Sequence, residues 1–588
     1  MLVVRERSTS DIALETLNTL ASALGCVGRR KSVGKDSSFE RLEAAEQLKA
    51  AERLTFTPAA SDGFVPPLVL VAFIFPALAG LNFGFDIGST GGAVQQLRSA
   101  SADLDGSSLL IGLLTSGSLF GAVVGTALSF ALAAPLGRRG ELLLGAALYV
   151  LGTLFTCFSP SGASQLIGVF AGRGVYGVGI AFSMHAAPVY ISETSTAAVR
   201  GLLVSLKEGF IVLGILLGFS ASAVATSLDL PPSLAWRVIW ALPALTGSLV
   251  LLGMSAMPES PRWLVLQALP PAGGSGGGGG SSDHDGIIGH GSGEAHRRGE
   301  GHRRGKGHSH PVSLATIRQQ MRAADALRRL RSPSLTSPKA ADEAAVDAEL
   351  RAILATLGTA AAGCTEVLSA RRALLAGLGL VLLQQVTGQP SVLYYQEAIF
   401  RGAGFGELSA YASVIVGGSK LLATLFTVAR VDQYGRRPLL FVGIGMMLAS
   451  LAVLSVAFHE QGGGVGGVSS PGDPWAIAIV VALIVYVCGY QVGFGPIAWL
   501  IISEVFPLRT RATALSIAVM VNFAFNLLVT FSLPALQMAF DAIEPGRGMA
   551  YLFGTYALLC VVSLLFVGRY VPETKGKTLE QIEEDLRS

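Results

Sequence analysis

Charged residues are scarce in this chain: Asp, Glu, Lys and Arg make up only 14% of its 588 residues. A soluble domain carries about 25%, so the deficit argues against a fold that presents its whole surface to water. Hydrophobic residues account for 51% of the chain, and its mean hydropathy is +0.55. Apolar runs of about 20 residues recur, each long enough to cross a hydrocarbon layer about 30 Å thick. The sequence therefore predicts a polytopic membrane protein embedded in a lipid bilayer.

Several chemical signatures are also missing. The five cysteines are scattered and no two have CxxC spacing, which predicts free thiols. The net charge of +3 carries no signal for nucleic acid. No nucleophile–base pairing, metal-ligand spacing or nucleotide-binding loop is visible. We therefore predict no enzymatic activity, no cofactor, no metal site and no use of ATP.

Apolar segments are spaced along the chain in two sets of six, separated by a long polar loop. Many of them are rich in glycine, and small residues let membrane helices approach each other closely. The expected fold is all-α, with twelve transmembrane helices in two pseudo-symmetric six-helix halves. The predicted spans are 66–85, 108–131, 140–159, 166–190, 203–226, 238–257, 371–399, 408–430, 437–458, 475–502, 512–536 and 549–570.

Positive charge is concentrated in alternate loops. Arg138 and Arg139 follow span 2, and Arg436 and Arg437 follow span 8, whereas the loops after odd-numbered spans are much poorer in basic residues. Positively charged loops stay on the cytosolic side of a membrane. We therefore expect the even-numbered loops and both termini to face the cytosol.

The segments outside the spans are polar. Residues 1–62 contain acidic residues, which transit peptides avoid, so a disordered cytosolic tail is favoured over a targeting segment. The middle loop begins with a Gly/His-rich stretch, where a solvated linker is favoured over a metal-sensing role. The predicted organisation is a tail at 1–64, a first half at 65–264, a disordered linker at 265–312, cytosolic helices at 313–370, a second half at 371–571 and a cytosolic tail at 572–588.

The two halves repeat three motifs in the same order. The matched pairs are Gly137-Arg138-Arg139 with Gly435-Arg436-Arg437, Glu193 and Arg200 with Glu504 and Arg511, and Pro258-Glu259-Ser260 with Pro572-Glu573-Thr574. Three ordered matches are hard to obtain by chance. Two six-helix halves related by such a repeat are the major-facilitator architecture, which binds its substrate near the bilayer midplane between the halves.

The charged members of these motifs predict a latch. Arginine can bind helix-end carbonyls and carboxylates through paired hydrogen bonds. We expect such pairs to hold the halves together when the cytosolic side is closed; the alternative is that they only determine topology. The predicted latch residues are Arg138, Arg139, Glu193, Arg200, Asp432, Arg436, Arg437, Glu504 and Arg511.

Six stretches together resemble the sugar porter family of the major facilitator superfamily. They are GRGVYGVGIAFSMHAAPVYISE, PESPRWL, QQVTGQPSVLYY, VDQYGRRPLL, GPIAWLIISEVFPLRTR and PETKGKTLEQI. The stretches SLKEGFIVLGILLGFS and QQVTGQPSVLYY look most like the plant and algal branch called D-xylose–proton symporter-like, which includes vacuolar glucose transporters. The resemblance implies transport of a monosaccharide, coupled to protons by alternating access.

Asp86 lies in span 1, and Arg173 lies in span 4. A carboxylate inside a membrane span costs about 2.5–3.5 kcal/mol on insertion scales and is a functional candidate by default. The resemblance implies that Asp86 takes the coupling proton and pairs with Arg173. The alternative is a fixed structural salt bridge.

A second group of polar and aromatic residues is expected to hold the sugar. Amides can donate to and accept from sugar hydroxyls, and an aromatic ring offers an apolar platform for the ring face of the sugar. The resemblance places these positions in the sugar site. The alternative is that their side chains form hydrogen bonds that hold neighbouring helices together. The predicted set is Glu208, Gln384, Gln385, Gln389, Tyr394, Tyr395, Lys420, Trp499 and Asn522.

The chain departs from the commoner sugar-porter pattern at several places. Glu208 replaces a Gln, and Pro390 and Lys420 each replace an Asn. We predict that Glu208 and Lys420 neutralise each other across the central cavity or form a second titrating site. Ala134-Pro135 replaces an Asp-Arg pair, which predicts a weaker latch in the first half. His185 in span 4 is interpreted as a hydrogen-bonded structural residue, with titration near the cavity as the alternative.

Three rival functions stay open. Within transport they are a facilitative sugar uniporter and a proton/sugar antiporter, and from another class a non-transporting sugar sensor on the same fold. The expected partners are a monosaccharide, protons and the lipid bilayer, with the protein acting as a monomer and binding no nucleic acid. The sequence is compatible with the vacuolar membrane, the plastid envelope or the plasma membrane, and it does not identify the sugar.

Overall fold

The computed structural model describes residues 67–101, 104, 107–162, 164–268, 314–332, 343–357, 367, 370–462, 473–506, 508–577 and 581–582. These residues are mostly helical, and none of the described residues is in a strand. The predicted tail 1–64 and most of the predicted linker 265–312 lie outside the described residues, so the proposed domain boundaries stay predictions.

The first half contains the six predicted spans in chain order. Span 2 begins in a separate short helix, spans 2 and 3 then run through one long helix, and span 6 is divided at Leu242. The helices are α1 (Pro67–Ala100), α2 (Ser108–Thr115), α3 (Gly117–Cys157), α4 (Gln165–Thr194), α5 (Ala197–Ser227), α6 (Pro232–Ala241) and α7 (Pro243–Ala256).

Between the halves lie α8 (Pro261–Ala268), α9 (Leu314–Arg331) and α10 (Glu343–Leu357). The second half then follows with spans 7 and 10 broken into shorter helices. Its helices are α11 (Arg371–Val386), α12 (Gln389–Tyr394), α13 (Gln396–Gly402), α14 (Ser409–Tyr434), α15 (Arg436–Gly462), α16 (Pro474–Val492), α17 (Phe494–Val505), α18 (Leu508–Ile543) and α19 (Gly548–Tyr570).

Ten helical segments of the described chain are long and apolar enough to cross a membrane. One of them, α3, has 41 residues and covers both predicted spans 2 and 3. Span 7 is not among the ten because its three helices are individually short. The described segments therefore account for all twelve predicted crossings. The predicted end of span 1 at residue 85 was wrong, since α1 continues to Ala100.

The repeat is visible as two equivalent glycine turns. At Gly137, within α3, φ is 76° and ψ is 169°. At Gly435, between α14 and α15, φ is 93° and ψ is 164°. A side chain is disfavoured at such positive φ. It would also collide, because a Cβ on Gly137 would lie 2.7 Å from Glu259 Oε2 and one on Gly435 would lie 3.0 Å from Glu573 Oε2.

The breaks in spans 7 and 10 occur at two further glycines. Gly388, with φ of 88°, separates α11 from α12, and Gly493 separates α16 from α17. A broken helix leaves backbone carbonyls available for other donors. The Thr387 carbonyl accepts from Tyr486 Oη at 2.9 Å. Discontinuous helices of this kind form the substrate sites of many secondary transporters.

Close helix packing inside the bundle contrasts with its apolar outer surface. A Cβ on Gly84 of α1 would lie 1.8 Å from the Ile211 carbonyl oxygen of α5, so these two helices meet through their backbones. On the outside, Leu245 is 71% exposed and Leu422 is 70% exposed. A surface that carries such apolar side chains suits lipid rather than water.

Helices α8, α9 and α10 pack together through an apolar cluster that includes Val265, Leu327 and Leu350. Arg331 of α9 forms an ion pair with Glu349 of α10 at 2.7 Å and donates to the Thr194 carbonyl at 2.9 Å. The structure thus has helices between the halves, as the sequence predicts. They dock at the end of the bundle that carries both Gly-Arg-Arg turns, called here the arginine-motif end.

Candidate functional site

A buried carboxylate–guanidinium pair lies within the first half. Asp86 of α1 is 2% exposed and Arg173 of α4 is 3% exposed. Arg173 Nη1 lies 2.9 Å from Asp86 Oδ1. Each charge would be costly alone inside the membrane, and each is compensated by the other. The structure thus brings together the two residues that the sequence singled out for proton coupling.

Three hydroxyls and an indole complete this site. Ser118 Oγ donates to Asp86 Oδ2 at 2.6 Å. The second guanidinium nitrogen of Arg173 donates to Thr90 Oγ1 at 2.9 Å, and the guanidinium lies 4.6 Å from the centre of the Trp240 ring. The remaining hydroxyl comes from the other half: Tyr394 Oη lies 3.4 Å from Asp86 Oδ2. The carboxylate therefore contacts residues from both halves.

The predicted sugar-binding amides meet near the breaks in spans 7 and 10. Gln384 Nε2 donates to the Phe494 carbonyl at 3.2 Å, and Gln385 Nε2 donates to Asn522 Oδ1 at 2.6 Å. Two polar atoms of this group, Gln385 Oε1 and Gln389 Nε2, are buried and have no hydrogen-bond partner in the described chain. An acceptor and a donor are thus left for a ligand, and sugar hydroxyls can satisfy both.

The aromatic members of the predicted sugar set differ in their surroundings. Tyr394 and Tyr395 are buried, and Tyr394 is the residue that reaches Asp86. Trp499 of α17 is half-buried and packs against the apolar core. A direct contact between Trp499 and a sugar stays a prediction.

Lys420 is buried in α14 and is held by a chain of hydrogen bonds within the second half. Its Nζ donates to Gln491 Oε1 at 2.8 Å and lies 4.9 Å from the centre of the Tyr490 ring. Gln491 Nε2 in turn donates to Thr424 Oγ1 at 2.6 Å. Among the described residues, no ion pair within 4.0 Å joins Lys420 to Glu208. Gln491, and not Glu208, is therefore its contacting partner in this conformation, and mutual neutralisation stays a prediction.

At the arginine-motif end of the first half, Glu259 anchors the turn at Gly137. Its Oε1 accepts from the backbone N–H of Arg139 at 2.9 Å and of Ser260 at 2.8 Å. Burial nevertheless raises the pKa of Glu259. The Arg139 side chain donates to the Met254 carbonyl at 2.9 Å, and so caps the end of α7.

The second half repeats this arrangement. Glu573 accepts from the backbone N–H of Arg436 at 3.1 Å and of Arg437 at 3.0 Å. Burial acts to raise the pKa of Glu573, but these donors and those of Thr574 and Lys575 outweigh it and lower the pKa below its ordinary value. Arg437 donates to the last turn of α19, as Arg139 does to α7.

A second carboxylate in each half joins the turn to the end of the neighbouring helix. In the second half Arg436 Nη2 lies 2.9 Å from Glu504 Oε1, and Thr574 Oγ1 donates to Glu504 at 2.6 Å. In the first half Glu193 accepts from Ser260 and lies 3.6 Å from Arg138 Nε. The expectation of a weaker latch in the first half stays a prediction.

The ion pairs described for these motifs lie within one half or the other. Each glutamate pairs with an arginine of its own half, because each glycine turn brings its arginine beside a helix end of the same half. The expectation that these motifs hold the halves together when the cytosolic side is closed stays a prediction. Arg511 donates to the Phe506 carbonyl at 3.3 Å. The side chains of Arg200 and Asp432 lie outside the described part of the chain.

Local structure explains how the first half does without the replaced Asp-Arg pair. The Ala134 carbonyl accepts from Trp263 Nε1 at 3.0 Å and from Gln267 Nε2 at 2.8 Å. Pro135 lies within α3, where proline cannot supply the usual helical N–H donor. Side chains of α8 thus tie that helix to α3 without a charged pair.

Sequence reasoning missed several members of these sites. Gln491 could have been found, since a polar residue inside the apolar span 10 is unusual. Ser118, Thr90 and Trp240 carried no such signal, because their residue types are common in membrane helices. Only the packing of α1, α3, α4 and α6 shows that they surround Asp86 and Arg173.

Two six-helix halves, related by a repeat and sharing a buried acid–base site with broken helices beside it, define a secondary transporter of the major-facilitator fold. The comparison with a solved structure agrees. The xylose transporter XylE of E. coli, in a partially occluded inward open conformation, aligns with a TM-score of 0.65 and 23% identity. The alignment covers 87% of this chain and 99% of that one.

Sequence comparisons establish the family. The model for the family described as sugar (and other) transporter matches residues 72–269 and 310–586. D-xylose-proton symporter-like 3, chloroplastic, of Arabidopsis thaliana is 39% identical over 90% of this chain and 84% of its own length. D-xylose-proton symporter-like 2 of the same plant is 38% identical over 87% of this chain and 90% of its own length. The chain belongs to this sugar transporter family, whose members are transporters and not enzymes.

Proposed function

We propose that the protein moves a monosaccharide such as glucose or xylose across a membrane together with protons, by alternating access. The observation that carries this proposal is the hydrogen bond from Tyr394 to Asp86, which connects a titratable carboxyl group of the first half to a broken helix of the second. The match to relatives named D-xylose-proton symporter-like supports the same substrate class.

The geometry suggests how proton binding is linked to movement. Ionised Asp86 accepts from Arg173, Ser118 and Tyr394. A proton added to the carboxylate removes its charge, which weakens the ion pair and the bonds to both hydroxyls. Helix α12, which carries Tyr394, is then less firmly held against α1. Protonation of Asp86 thereby favours rearrangement of the two halves.

The sugar is proposed to bind beside this site, at the breaks in spans 7 and 10. The unpartnered Gln385 Oε1 and Gln389 Nε2 supply an acceptor and a donor for sugar hydroxyls. Because Tyr394 and Gln389 are the two ends of the same short helix, α12, sugar binding and Asp86 protonation act on one element. That shared element is the basis for coupling the two fluxes.

In the proposed orientation the arginine-motif end faces the cytosol, as the positive-inside rule predicts from its arginines. Both termini are then cytosolic. The protein is proposed to act as a monomer. The surrounding lipid contacts the exposed apolar side chains of the bundle.

Uptake of radiolabelled glucose and xylose by proteoliposomes, with and without a pH gradient, tests the proposal. One proton per sugar allows about tenfold accumulation for each pH unit of gradient. Asp86→Asn removes the proton-binding carboxylate, so gradient-driven accumulation is expected to be lost. Glu349→Gln, which alters a carboxylate in the cytosolic helices, is the matched control and is expected to accumulate sugar normally.

Two outcomes would reject parts of the proposal. Uptake that is independent of the gradient and unchanged in Asp86→Asn would indicate a uniporter. Sugar binding without any uptake, measured on the same preparation, would indicate a sensor.

A further inference from the structure

A second buried carboxylate–base pair lies away from Asp86. Glu141 of α3 is fully buried, and its Oε2 lies 2.6 Å from Nδ1 of His185 in α4. Ser129 Oγ donates to the same carboxylate oxygen at 3.3 Å. An acid in this position within a membrane span is costly unless it is paired or protonated. Neither residue has a part in the proposed sugar or Asp86 site.

The imidazole also reaches the other half of the protein. His185 Nε2 lies 3.0 Å from Oγ of Ser516 in α18. His185 therefore bridges a carboxylate of the first half and a hydroxyl of the second. This is a contact between the halves of the kind that the arginine motifs were expected to make.

Helix geometry places this bridge well away from Asp86 along the membrane normal. Ser118, which contacts Asp86, and Ser129, which contacts Glu141, both lie in α3, and 11 residues of helix correspond to about 16 Å. Arg173 and His185 in α4 are separated by a similar rise of about 18 Å. The bridge lies toward the arginine-motif end, so the two acidic sites are distinct.

The charges around the bridge are few. Arg138 Nη1 of α3 lies 4.0 Å from Glu141 Oε1, and Arg138 is shared with Glu193 at the end of α4. Within the described chain no other ion pair involves Glu141, and α18 contributes the uncharged Ser516. Ionised Glu141 with a neutral imidazole carries one net negative charge in a buried place. One proton neutralises that charge.

We propose that Glu141 and His185 form a second proton-binding site, whose occupied state holds the halves together at the arginine-motif end. With the proton bound, the imidazolium donates from Nδ1 to Glu141 and from Nε2 to Ser516, and both bonds are charge-assisted. Without it, Nε2 of the neutral ring is only an acceptor for the Ser516 hydroxyl. A charge-assisted hydrogen bond is roughly twice as strong as a neutral one.

The same linkage works in the opposite direction. If the proton strengthens the contact between His185 and Ser516, then forming that contact raises the affinity for the proton. Opening of the arginine-motif end breaks the contact, lowers this affinity and releases the proton to the solution on that side. The inference rests on the proposed coupled transport for its place in the cycle, whereas the bridge itself requires no sugar.

The test is a distance measurement between spin labels at Leu202→Cys and Tyr434→Cys, two exposed positions at the arginine-motif end of opposite halves. It uses the full chain in nanodiscs, without sugar, after the native cysteines are replaced. The open and closed populations are compared at about pH 5 and about pH 8, the range in which histidine side chains commonly change charge. The ratio of open to closed protein is expected to increase about fivefold, as when a charge-assisted bond becomes neutral.

The variants separate this site from the Asp86 site. The pH response is expected to persist in Asp86→Asn and to be lost in His185→Gln, Glu141→Gln and Ser516→Ala. His459→Gln and Ser532→Ala are matched controls, since Ser532 bonds within its own helix, and both should respond normally.

Three results would overturn the proposal. The open-to-closed ratio could be independent of pH in the spin-labelled protein without further substitutions. Its pH dependence could be lost in Asp86→Asn, or could persist in Glu141→Gln and His185→Gln. Because the readout needs no transport, failure of sugar uptake in the same protein would count against the proposed function and not against this site.

Discussion

Tyr394 Oη of the second half lies 3.4 Å from Asp86 Oδ2 of the first half, within a site that is otherwise built from the first half alone. The backbones of α1 and α12 are close at the same level, since a Cβ on Gly91 would lie 2.8 Å from the Tyr394 carbonyl oxygen. The charge of Asp86 and the position of the broken span 7 are therefore linked through one side chain.

Removing that hydroxyl tests the link. Tyr394→Phe keeps the ring but deletes the hydrogen bond to Asp86, and proton-driven sugar uptake is expected to fall about fivefold, the effect of one hydrogen bond of about 1 kcal/mol. Initial uptake rates in proteoliposomes with a pH gradient provide the measurement. Tyr434→Phe, an exposed tyrosine at the arginine-motif end, is the control. Equal rates for both variants would show that the bond has no role in coupling.

The Gln385–Asn522 pair is expected to determine sugar affinity. Gln385→Ala removes an acceptor that has no protein partner and leaves Asn522 without its donor. We expect KM for the transported sugar to rise about tenfold, because one or more hydrogen bonds to the sugar are lost. Uptake measured over a range of sugar concentrations gives KM, with Gln433→Ala near the end of α14 as the control. An unchanged KM would assign Gln385 to helix packing.

The hydrogen bond from Lys420 to Gln491 is expected to stabilise the buried lysine inside the second half. Gln491→Leu removes the acceptor of Lys420 Nζ, and a bond to a charged group contributes about 1.5–3 kcal/mol. The variant should therefore melt at a lower temperature than Gln491→Glu, which keeps an acceptor. The charge reversals Glu208→Lys and Lys420→Glu test the rival pairing, since a double variant no more active than either single one would exclude mutual neutralisation.

The turn at Gly435 is expected to tolerate no side chain. Gly435→Ala forces a Cβ into a positive-φ conformation that only glycine normally adopts, which costs about 1–3 kcal/mol, and places it 3.0 Å from Glu573 Oε2. Thermal unfolding of the detergent-solubilised protein should shift to a lower temperature. Gly445→Ala is the control, because a Cβ at that helical position meets nothing within 4 Å. An equally large fall in the unfolding temperature of Gly445→Ala would assign the effect to helix packing and not to the turn.

The lowered pKa of Glu573 predicts a pH-dependent contribution to stability. A carboxyl group whose pKa is below its ordinary value of 4.5 stabilises the fold above that pH. The contribution disappears as the pH falls through the lowered pKa, because the proton then binds both folded and unfolded chains. Glu573→Gln should therefore melt at a lower temperature than the unmodified protein at neutral pH, and the difference should vanish in acid. A constant difference across this range would contradict the assignment.

Much of the fold could be predicted from residue order alone. The twelve crossings follow from hydropathy, because a segment of about 20 apolar residues has few stable places except a bilayer. The two halves follow from the repeated Gly-Arg-Arg and Pro-Glu motifs. Boundaries were less predictable, since α1 continues to Ala100 with Ala93, Val94 and Leu97 in an apolar cluster, and α3 continues through the Gly-Arg-Arg turn.

The buried pair at Asp86 and Arg173 was also within reach of the sequence. A lone acid and a lone base in otherwise apolar spans are each too costly to leave unpaired, so the sequence predicts that they pair with each other. The same rule suggested Glu208 as the partner of Lys420. There it did not predict the contact, because a buried lysine can equally be held by an amide, and Gln491 lies nearer.

The sequence by itself determined that this chain crosses a membrane twelve times, in two related halves, with an acid–base pair inside. Only the tertiary structure decided which polar groups meet: Glu193 with Arg138 inside one half, and His185 with Ser516 across 331 residues between halves. Hydropathy and sequence motifs are properties of short stretches of chain. The distance between two side chains on different helices is set by how those helices pack and turn about their axes, which no local pattern records.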